Sequence, residues 1–254
     1  MKFFRDKLYE DITIPAPPKD DIGEAAEVKR LIANRTAEQE KSIADHDEVP
    51  FYAIKKYCDD NKMMFHKDEF KDIIYGATDT INYFKDKFDR KRPIEVDKTL
   101  DTSPSKTNKT PSYPSGHAAQ SRIVARYVAG KFPEHEANLI EAGNECGYGR
   151  VLAGFHYPSD YEAGNLLGEK MYKLMNKENY IKEMKTFKTF MESIIDIPRS
   201  TYAPGVFDGA DSKNPKIKSS VMKMIDKQVE DFEKEYPVLE VTLIGSILTK
   251  RYRN

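Results

Sequence analysis

Three prolines divide the middle of this 254-residue sequence, and the apolar residues between them recur at the spacing of an α-helix. Pro93, Pro133 and Pro158 stand where one helix would end or the next begin, because proline lacks the backbone N–H that a helix interior needs. The spacing predicts helices over 22–44, 50–61, 67–91, 115–131, 134–153, 159–176 and 178–194. The sequence therefore predicts an all-α fold, in which residues 94–113 form a loop.

The character of the sequence changes after residue 195. A linker with proline and glycine follows, then a charged helix predicted near 216–235, then an end at 238–247 that could be a strand or a short helix. We therefore expect a single helical domain over 1–195 and a C-terminal extension over 196–254 that packs on it. The extension carries no motif from which a function could be read.

Composition limits the kinds of partner that we expect. The chain is 39% hydrophobic and 33% charged, with a formal net charge of -1. A balanced charge argues against a basic surface for nucleic acid, and no run approaches the roughly 18 consecutive apolar residues of a membrane span. The sequence thus predicts a soluble protein, and it leaves self-association into a homo-oligomer open.

Two further questions stay open at the level of sequence. Cys58 and Cys146 either pair or remain free, since two cysteines are too few to decide the redox compartment. The first eight residues carry the charges of a signal peptide, but no apolar segment follows them. The protein is therefore expected in the cytoplasm, or in the periplasm or outside the cell if a signal has been removed.

Two cations near the end of the predicted third helix form the first of three stretches that carry chemistry. Lys85 and Arg92 are seven residues apart, which is two helical turns, so both project from one face. Two cations on one face can bind a doubly charged anion. However, Lys87, Arg90 and Lys91 are also basic, and a run of charge is usually a solvated face, so this stretch alone does not predict a site.

The second stretch, Pro114-Ser115-Gly116-His117, opens an alanine-rich predicted helix. Ser115 suits the N-cap, and Gly116 lets a ligand approach the backbone closely. Free N–H groups and the positive end of the helix dipole then point toward an anion. A plain capping sequence explains Ser115 and Gly116 but not His117, because a cation is unfavourable at a helix N-terminus. A neutral or anion-paired imidazole fits that position better.

The third stretch runs from Arg150 through His156 to Asp160. Pro158 argues against one helix for the whole stretch, so we expect Asp160 in the first turn of the next helix, reaching back to His156. A carboxylate there accepts the Nδ1–H of the imidazole, fixes its tautomer and leaves Nε2 free as a nucleophile. The alternative is structural, since aspartate favours helix starts and His156 could simply pack against Tyr157.

In this order, the three stretches resemble the signature of the type 2 phosphatidic acid phosphatase superfamily, which also contains the vanadium haloperoxidases. That signature reads Lys-x6-Arg-Pro, then Pro-Ser-Gly-His, then Ser-Arg-x5-His-x3-Asp. The sequence matches it at Lys85, Arg92, Pro93, 114–117, Arg150, His156 and Asp160. Over about residues 14–180 the chain is most similar to bacterial class A nonspecific acid phosphatases. It departs from the signature at Gly149, where the family has serine.

The resemblance implies a helical bundle of the acid phosphatase and vanadium haloperoxidase type. It also implies a metal-independent acid phosphatase that hydrolyses small-molecule phosphomonoesters and needs no cofactor. The phosphate oxygens would then be bound by Lys85, Arg92, Arg150 and the backbone of Ser115 and Gly116. His156 would attack phosphorus and form a phosphohistidine, Asp160 would hold its ring, and His117 would protonate the leaving group. The missing serine hydroxyl at Gly149 implies one phosphate hydrogen bond fewer, a loss of roughly 1–3 kcal/mol.

Two other functions stay open at this stage. A vanadium haloperoxidase shares the motifs and keeps vanadate as a cofactor, although nothing in the sequence marks a halide site. A phosphate-binding protein that lost turnover through Gly149 would bind phosphate or vanadate and never form a phosphoenzyme. The three histidines outside the motifs, His46, His66 and His135, lie in polar contexts and are expected at the surface.

Overall fold

The structure, a computed structural model, describes residues 3–64 and 67–195 and two short strands at 207–208 and 216–217. The chain divides into two compact units, residues 1–178 and 179–254. The linker, the charged helix and the ambiguous end that were predicted after residue 195 lie outside the described residues, with two exceptions. Residues 207–208 of the predicted linker and 216–217 of the predicted helix each form a strand. The division into a domain at 1–195 and an extension at 196–254 stays a prediction.

The described chain is helical, which confirms the predicted all-α fold class. Its α-helices are α1 Asp21–Ala33, α2 Ala37–His46, α3 Tyr52–Asp60, α4 Lys67–Phe88, α5 Pro93–Val96, α6 Gly116–Lys131, α7 Glu136–Leu152 and α8 Pro158–Ile195. Short 3₁₀ helices lie at Leu8–Asp11 and Pro133–His135. In the second unit, the two-residue strands β1 Phe207–Asp208 and β2 Lys216–Ile217 pair antiparallel. None of the helices in the described ranges is long and apolar enough to cross a lipid bilayer.

Three parts of the helix prediction differ from the structure for local reasons. Residues 94–96, predicted as part of a loop, belong to the short helix α5, which begins at Pro93. The predicted helix at 22–44 is two helices, because Thr36 starts the second. The Thr36 hydroxyl accepts from the Gln39 N–H at 3.2 Å, and the Gln39 side chain accepts from the Thr36 N–H at 2.9 Å, which closes a capping box. Conversely, the helices predicted at 159–176 and 178–194 are one helix, α8, since no proline or glycine separates them in the sequence.

The largest hydrophobic core fixes the position of α4. Its buried members on this helix recur every three or four residues, at Phe70, Ile73, Ala77, Ile81 and Phe84. Such a stripe is the apolar face of an amphipathic helix. Lys85 directly follows this stripe and is itself buried, so the core holds its position.

Glycines hold the first turn of α6 against α7 and α8. A Cβ placed on Gly147 of α7 would lie 3.0 Å from the Ala118 Cβ, and a Cβ on Gly164 of α8 would lie 2.5 Å from the Ser115 carbonyl oxygen. Close-packed interiors do not accommodate such contacts, so only glycine allows the helices to approach this far. The packing fixes the N-terminus of α6, where Gly116 stands.

Cysteines and histidines outside the motifs complete the described fold. Cys58 and Cys146 are both free and buried, and burial raises the pKa of their thiols to about 11 and 12. The prediction that His46 lies at the surface is wrong: its Nδ1 donates to the Ser42 carbonyl oxygen at 2.6 Å and its Nε2 accepts from the Ala53 N–H at 3.1 Å. His135 is partly exposed, and His66 lies outside the described residues.

Candidate active site

A cavity of about 270 Å³ lies between α4, the start of α6 and the end of α7. Six of the residues singled out in the sequence line it: Lys85, Arg92, Gly116, His117, Arg150 and His156. Ser115 and Asp160 do not line the cavity themselves, and both are fully buried. The fold thus brings the three separate sequence stretches to one place.

Lys85 reaches this cavity from the last turn of α4. Its ammonium donates to the carbonyl oxygens of Pro111 at 2.5 Å and Ser112 at 3.5 Å. Burial and the neighbouring charge of Arg92 lower the pKa of Lys85 to about 7. Among the described residues, its hydrogen-bond partners are carbonyl oxygens alone, so the group is oriented without being neutralised.

Arg92 stands just before α5 and is held in the same way. Its Nε donates to the Thr110 carbonyl oxygen and one of its terminal nitrogens to the Phe155 carbonyl oxygen, both at 2.8 Å. Burial and the charge of Arg150 lower the pKa of Arg92 to about 10. A second buried cation therefore faces the cavity without a carboxylate among its described hydrogen-bond partners.

Arg150, near the end of α7, is the third cation. It donates to the Asp47 carboxylate at 2.6 Å and to the Thr107 hydroxyl at 2.9 Å, and its guanidinium lies 4.4 Å from the centre of the Phe155 ring. Its Nε is buried and has no hydrogen-bond partner among the described residues. Burial lowers the pKa of Arg150, although Asp47 opposes the shift. One donor of this arginine is thus still unused.

Asp47 is a functional neighbour that the sequence interpretation missed. Its carboxylate also accepts from the Ser105 hydroxyl at 2.5 Å, while its backbone carbonyl accepts from His117 Nε2 at 3.0 Å. Burial acts to raise the pKa of this carboxyl, but hydrogen bonds from Ser105 and Arg150 outweigh it and hold the pKa well below the usual range. Asp47 therefore connects Arg150 to His117. It follows α2 in a polar connection with no motif, so nothing in the sequence singles it out.

His117 is the second residue of α6, and its hydrogen bond fixes the proton on one nitrogen. Because a carbonyl oxygen only accepts, Nε2 carries the hydrogen that bonds to Asp47, and Nδ1 is the basic nitrogen. Burial and the charge of Arg150 lower the pKa of His117 to about 3. The imidazole is therefore neutral at the N-terminus of α6, which suits the positive end of the helix dipole.

His156 presents the opposite nitrogen. Its Nδ1 lies 3.2 Å from the Asp160 carboxylate and 3.4 Å from the Ser112 hydroxyl, so Nδ1 carries the hydrogen and Nε2 the lone pair. In the described part of the chain, Nε2 makes no hydrogen bond. Burial and the charge of Arg92 lower the pKa of His156 well below its usual value. The result is a neutral imidazole with a free lone pair beside three cations.

Asp160 lies in the first turn of α8, as the position of Pro158 predicts, and is completely buried. One carboxylate oxygen accepts from Arg90 at 2.7 Å, and the other accepts from the Ser112 hydroxyl and from the Tyr157 N–H at 3.0 Å. Burial raises the pKa of Asp160 while Arg90 and Ser112 act to lower it. The carboxylate that holds His156 is thus itself fixed on both sides.

Arg90 is the second residue that sequence analysis missed, because it was included in a charge run that we expected to be solvated. Its side chain is only 2% exposed. It pairs with Asp21 at 2.8 Å, with Glu24 and with Asp160, and it stacks over the Tyr157 ring at 4.0 Å. Two carboxylates of α1 are therefore connected, through Arg90, to the residue that orients His156.

Ser115 differs from the expectation that its amide binds phosphate. That N–H donates to the Asp160 carbonyl oxygen at 2.9 Å, and the hydroxyl caps α6 by accepting from the Ala118 N–H at 3.4 Å. Gly116 does line the cavity, and a Cβ there would lie 3.6 Å from Ile81 Cγ2 and 3.7 Å from Lys85 Cε. In the second motif, Gly116 and His117 therefore face the cavity and Ser115 supports them.

Gly149 also differs from its expected role. The nearest atom to a Cβ placed there would be Ile43 Cγ1 at 3.8 Å, and the residue lines a separate cavity beside α2. Successive residues of a helix point about 100° apart, so Arg150 faces the site and Gly149 does not. The expectation that Gly149 removes a phosphate donor is wrong, because a serine side chain at this position would point toward α2.

The chemistry of this arrangement follows from its groups. Three buried cations with unused donor capacity suit a small, highly charged anion, and a neutral imidazole with a free lone pair suits attack on its central atom. A second neutral imidazole can exchange a proton with whatever leaves. Among the described side chains, no group of three or more His, Cys, Asp or Glu is placed to hold a metal ion.

Comparison with known proteins finds similarity over the part of the chain that carries this site. Residues 73–177 match the model described as the PAP2 superfamily. An acid phosphatase of Zymomonas mobilis subsp. mobilis is 35% identical over 92 residues, which are 35% of this chain and 35% of that protein. Non-specific acid phosphatases of Salmonella typhi and Salmonella typhimurium are 42% identical over 57 residues and 40% identical over 60 residues.

These matches are partial. The two Salmonella alignments cover 22% and 24% of this chain and 23% and 24% of the relatives, so the chain spans about a third or less of the length of the curated relatives it matches. Among solved structures, the chain is similar to the first transmembrane PAP2 type phosphatidylglycerolphosphate phosphatase from Bacillus subtilis. That likeness has 15% identity and a TM-score of 0.46, and it covers 65% of this chain and 88% of that one.

Proposed function

We propose that this protein is an acid phosphatase that hydrolyses small phosphomonoesters through a phosphohistidine. The match of residues 73–177 to the PAP2 superfamily model supports the proposal. The observation that carries the proposal is the placement of His156: three buried cations share its cavity, and Asp160 holds its Nδ1. The similar proteins of Zymomonas mobilis and Salmonella typhi are acid phosphatases, which supports the same reaction class.

The phosphate is bound by the three cations. Lys85 and Arg92 are fixed by carbonyl oxygens and lack carboxylate partners among their described hydrogen bonds, so a dianion supplies the charge that they need. The buried Nε of Arg150 offers a further donor. Donors that are fixed before the substrate arrives stabilise the charge of the transition state at little reorganisation cost. We propose no metal or cofactor, because these cations supply the positive charge.

The first chemical step forms the phosphoenzyme. The lone pair of His156 Nε2 attacks phosphorus, the bond between phosphorus and the ester oxygen breaks, and that oxygen leaves as the alcohol after taking a proton from His117 Nδ1. The Nδ1–H of His156 stays on its nitrogen, and Asp160 stabilises the positive charge that develops on the ring. The product is a phosphohistidine at Nε2.

The second step releases phosphate. His117 Nδ1, now neutral, accepts a proton from water as the water oxygen attacks phosphorus, and the phosphorus–nitrogen bond breaks to restore His156. His117 then has to hold a proton when the next substrate reacts. Burial and the charge of Arg150 lower the pKa of His117, and a bound phosphate anion opposes the effect of that charge. The proton therefore enters with the substrate, which favours mildly acidic pH.

The decisive experiment is hydrolysis of p-nitrophenyl phosphate against pH, with EDTA present, for the wild type and His156→Ala. We expect acid-optimal turnover that survives EDTA, is inhibited by orthovanadate as a transition-state mimic, and vanishes in the variant. Circular dichroism of both proteins controls for folding. Acid-labile phosphate trapped on the wild type, and absent from the variant, would identify the intermediate.

Other outcomes separate the alternatives. Turnover that persists in His156→Ala would contradict the nucleophile, and turnover abolished by EDTA would contradict the metal-free mechanism. If the wild type hydrolyses no phosphomonoester but binds vanadate, bromination of a dye with vanadate and peroxide distinguishes a haloperoxidase from a phosphate-binding protein without turnover.

A further inference from the structure

One wall of the cavity is a single stripe of α4 that leads away from the phosphate-binding cation. Its members are spaced by four, three and four residues, at Ile74, Thr78, Ile81 and Lys85. Residues at this spacing lie on one face of a helix. With a rise of about 1.5 Å per residue, the stripe extends roughly 16 Å from Ile74 to Lys85. Beyond the ammonium, this stripe is therefore mainly aliphatic, and Asn82 of the same helix adds an exposed amide beside it.

The polar atom on this stripe is already satisfied within the helix. The Thr78 hydroxyl donates to the Ile74 carbonyl oxygen at 3.0 Å. Because its hydrogen is already used in this bond, the hydroxyl does not need an acceptor on the ligand. Ile81 belongs to the main hydrophobic core, and Ile74 packs against that core, so the two side chains are held in place. The stripe is a fixed apolar surface.

The opposite side of the cavity is compatible with an apolar group. It is lined by Pro50 and by Gly116 and Gln120 of α6. A Cβ at Gly116 would be in ordinary van der Waals contact with Ile81 Cγ2 at 3.6 Å, so this part of α6 lies close to the apolar stripe. The volume of about 270 Å³ lies just below the roughly 300–1,000 Å³ of sites for drug-sized ligands, which indicates room for one ring rather than a nucleotide.

Charge is distributed unequally within this cavity. The three cations lie beside the two histidines. Two carboxylates also line the cavity: Asp47, which is paired with Arg150, and Glu48, which is exposed. Glu48 itself forms an exposed ion pair with Lys106. A second anionic group on a substrate would meet the carboxylate side of this ion pair rather than another buried cation.

We propose that this site selects phosphomonoesters whose organic group is apolar, of the size of a single ring and free of further negative charge. This inference rests on the proposed phosphatase function and names its substrate class. The organic group packs against Ile74, Thr78 and Ile81, and Glu48 disfavours substrates that carry a second anion. Sugar phosphates and polyphosphates are poor substrates for the same two reasons.

The test compares benzyl phosphate with glycerol 3-phosphate by phosphate release, as a ratio of kcat/KM. We divide the ratio measured for a variant by the ratio measured for the wild type. This double ratio removes the difference in leaving-group reactivity between the two esters. In Ile74→Thr, which keeps the branch at Cβ but replaces the ethyl group by a hydroxyl, we expect this double ratio to fall roughly 3- to 10-fold. Thr78→Val, which adds apolar surface, should raise it.

The matched control is Ile140→Thr. This isoleucine of α7 is also partly buried against the main core but does not line the cavity, so the same substitution should leave the double ratio at one. Glu48→Gln tests the charge part with 4-carboxyphenyl phosphate and phenyl phosphate. We expect kcat/KM for the carboxylated ester to rise several-fold relative to the other ester.

A binding measurement separates the two proposals. Benzylphosphonate and methylphosphonate are not hydrolysed, and we expect the benzyl compound to raise the melting temperature more, with Ile74→Thr abolishing the difference. Absence of hydrolysis together with this preference would overturn the phosphatase function and keep the apolar site. Hydrolysis with no benzyl preference, or with a preference that Ile74→Thr and Ile140→Thr leave equally unchanged, would overturn the apolar site and keep the phosphatase.

Discussion

Arg90 and Arg92 lie two residues apart in the sequence, and the protein surrounds them in opposite ways. Arg90 pairs with three carboxylates, and although burial opposes it, the charge of Asp160 raises the pKa of Arg90. Arg92 donates to two backbone carbonyl oxygens, and burial together with Arg150 lowers its pKa to about 10. One arginine forms ion pairs within the fold, whereas the guanidinium of the other is oriented by carbonyl oxygens and forms no ion pair in the described part of the chain.

This difference separates an arginine that supports the site from one that is available to bind a ligand. A buried cation that already has its carboxylates has no reason to attract a further anion, so Arg90 holds Asp160 in place. A buried cation held only by carbonyl dipoles still favours an anion, so Arg92 is available to a ligand, as is Lys85. The two arginines therefore should respond differently to substitution.

The largest expected effect is on stability, in Arg90→Met. The substitution leaves Asp160 buried without its cation, so we expect the free energy of unfolding to fall by about 3–5 kcal/mol. Without Arg90 the pKa of Asp160 in the folded state rises further, so the folded protein binds the extra proton and the loss is smaller at pH 5 than at pH 8. Urea denaturation at both pH values measures this. An equal loss at the two pH values would contradict the role of Asp160.

The next effect is on activity, in Arg92→Ala. We expect kcat/KM for p-nitrophenyl phosphate to fall roughly 10²- to 10³-fold, as for removal of one fixed donor to a transition-state anion. The melting temperature should stay the same or rise, because a buried cation without a counter-charge is removed. Steady-state kinetics and thermal unfolding check the pair of results. A large drop in melting temperature would show that Arg92 supports the fold as Arg90 does.

A smaller effect concerns pH and Lys85. Its pKa is lowered to about 7, so its ammonium is charged below that pH and neutral above it. We expect kcat/KM, which reports the free enzyme, to fall about tenfold per pH unit above pH 7. In Lys85→Arg the cation no longer titrates, so the fall of kcat/KM above pH 7 should become shallower, while the proton needed on His117 still favours acidic pH. A wild-type kcat/KM that still climbs above pH 8 is incompatible with this assignment.

The smallest expected effect is in Gly149→Ser. A side chain at this position points toward Ile43, away from both arginines and from the histidines, so we expect kcat/KM to change less than about twofold. The same phosphate-release assay measures it. A tenfold gain in activity would mean that the serine hydroxyl does reach the phosphate.

The fold class and the convergence of the motif stretches follow from local rules that the sequence displays. Pro158 starts α8, which puts Asp160 in its first turn, and Ser115 caps α6, which puts His117 in its first turn. The break at Thr36 also had a signal, because Thr-x-x-Gln is a capping box, but the apolar spacing outweighed it. These features depend on residues close in sequence, so they can be predicted.

What could not be predicted depends on tertiary neighbours. Asp47 meets Arg150, and Asp21 and Glu24 meet Arg90, across separations of 66 to 103 residues that no local pattern encodes. The direction of Gly149 is an intermediate case. Once Arg150 is assigned to the site, the rotation of about 100° per helical residue already turns its neighbour away.

The link from α1 through Arg90 to Asp160 has a consequence for how this protein can be divided. The segment that matches the family model, residues 73–177, contains both histidines and all three cations that line the cavity. It lacks Asp21 and Glu24, which pair with Arg90, and Asp47, which pairs with Arg150. A fragment cut at the limits of the match would thus keep these lining groups and lose the counterions that hold two of its arginines in position. We therefore expect the smallest fragment with activity to be longer than the stretch that matches the family model.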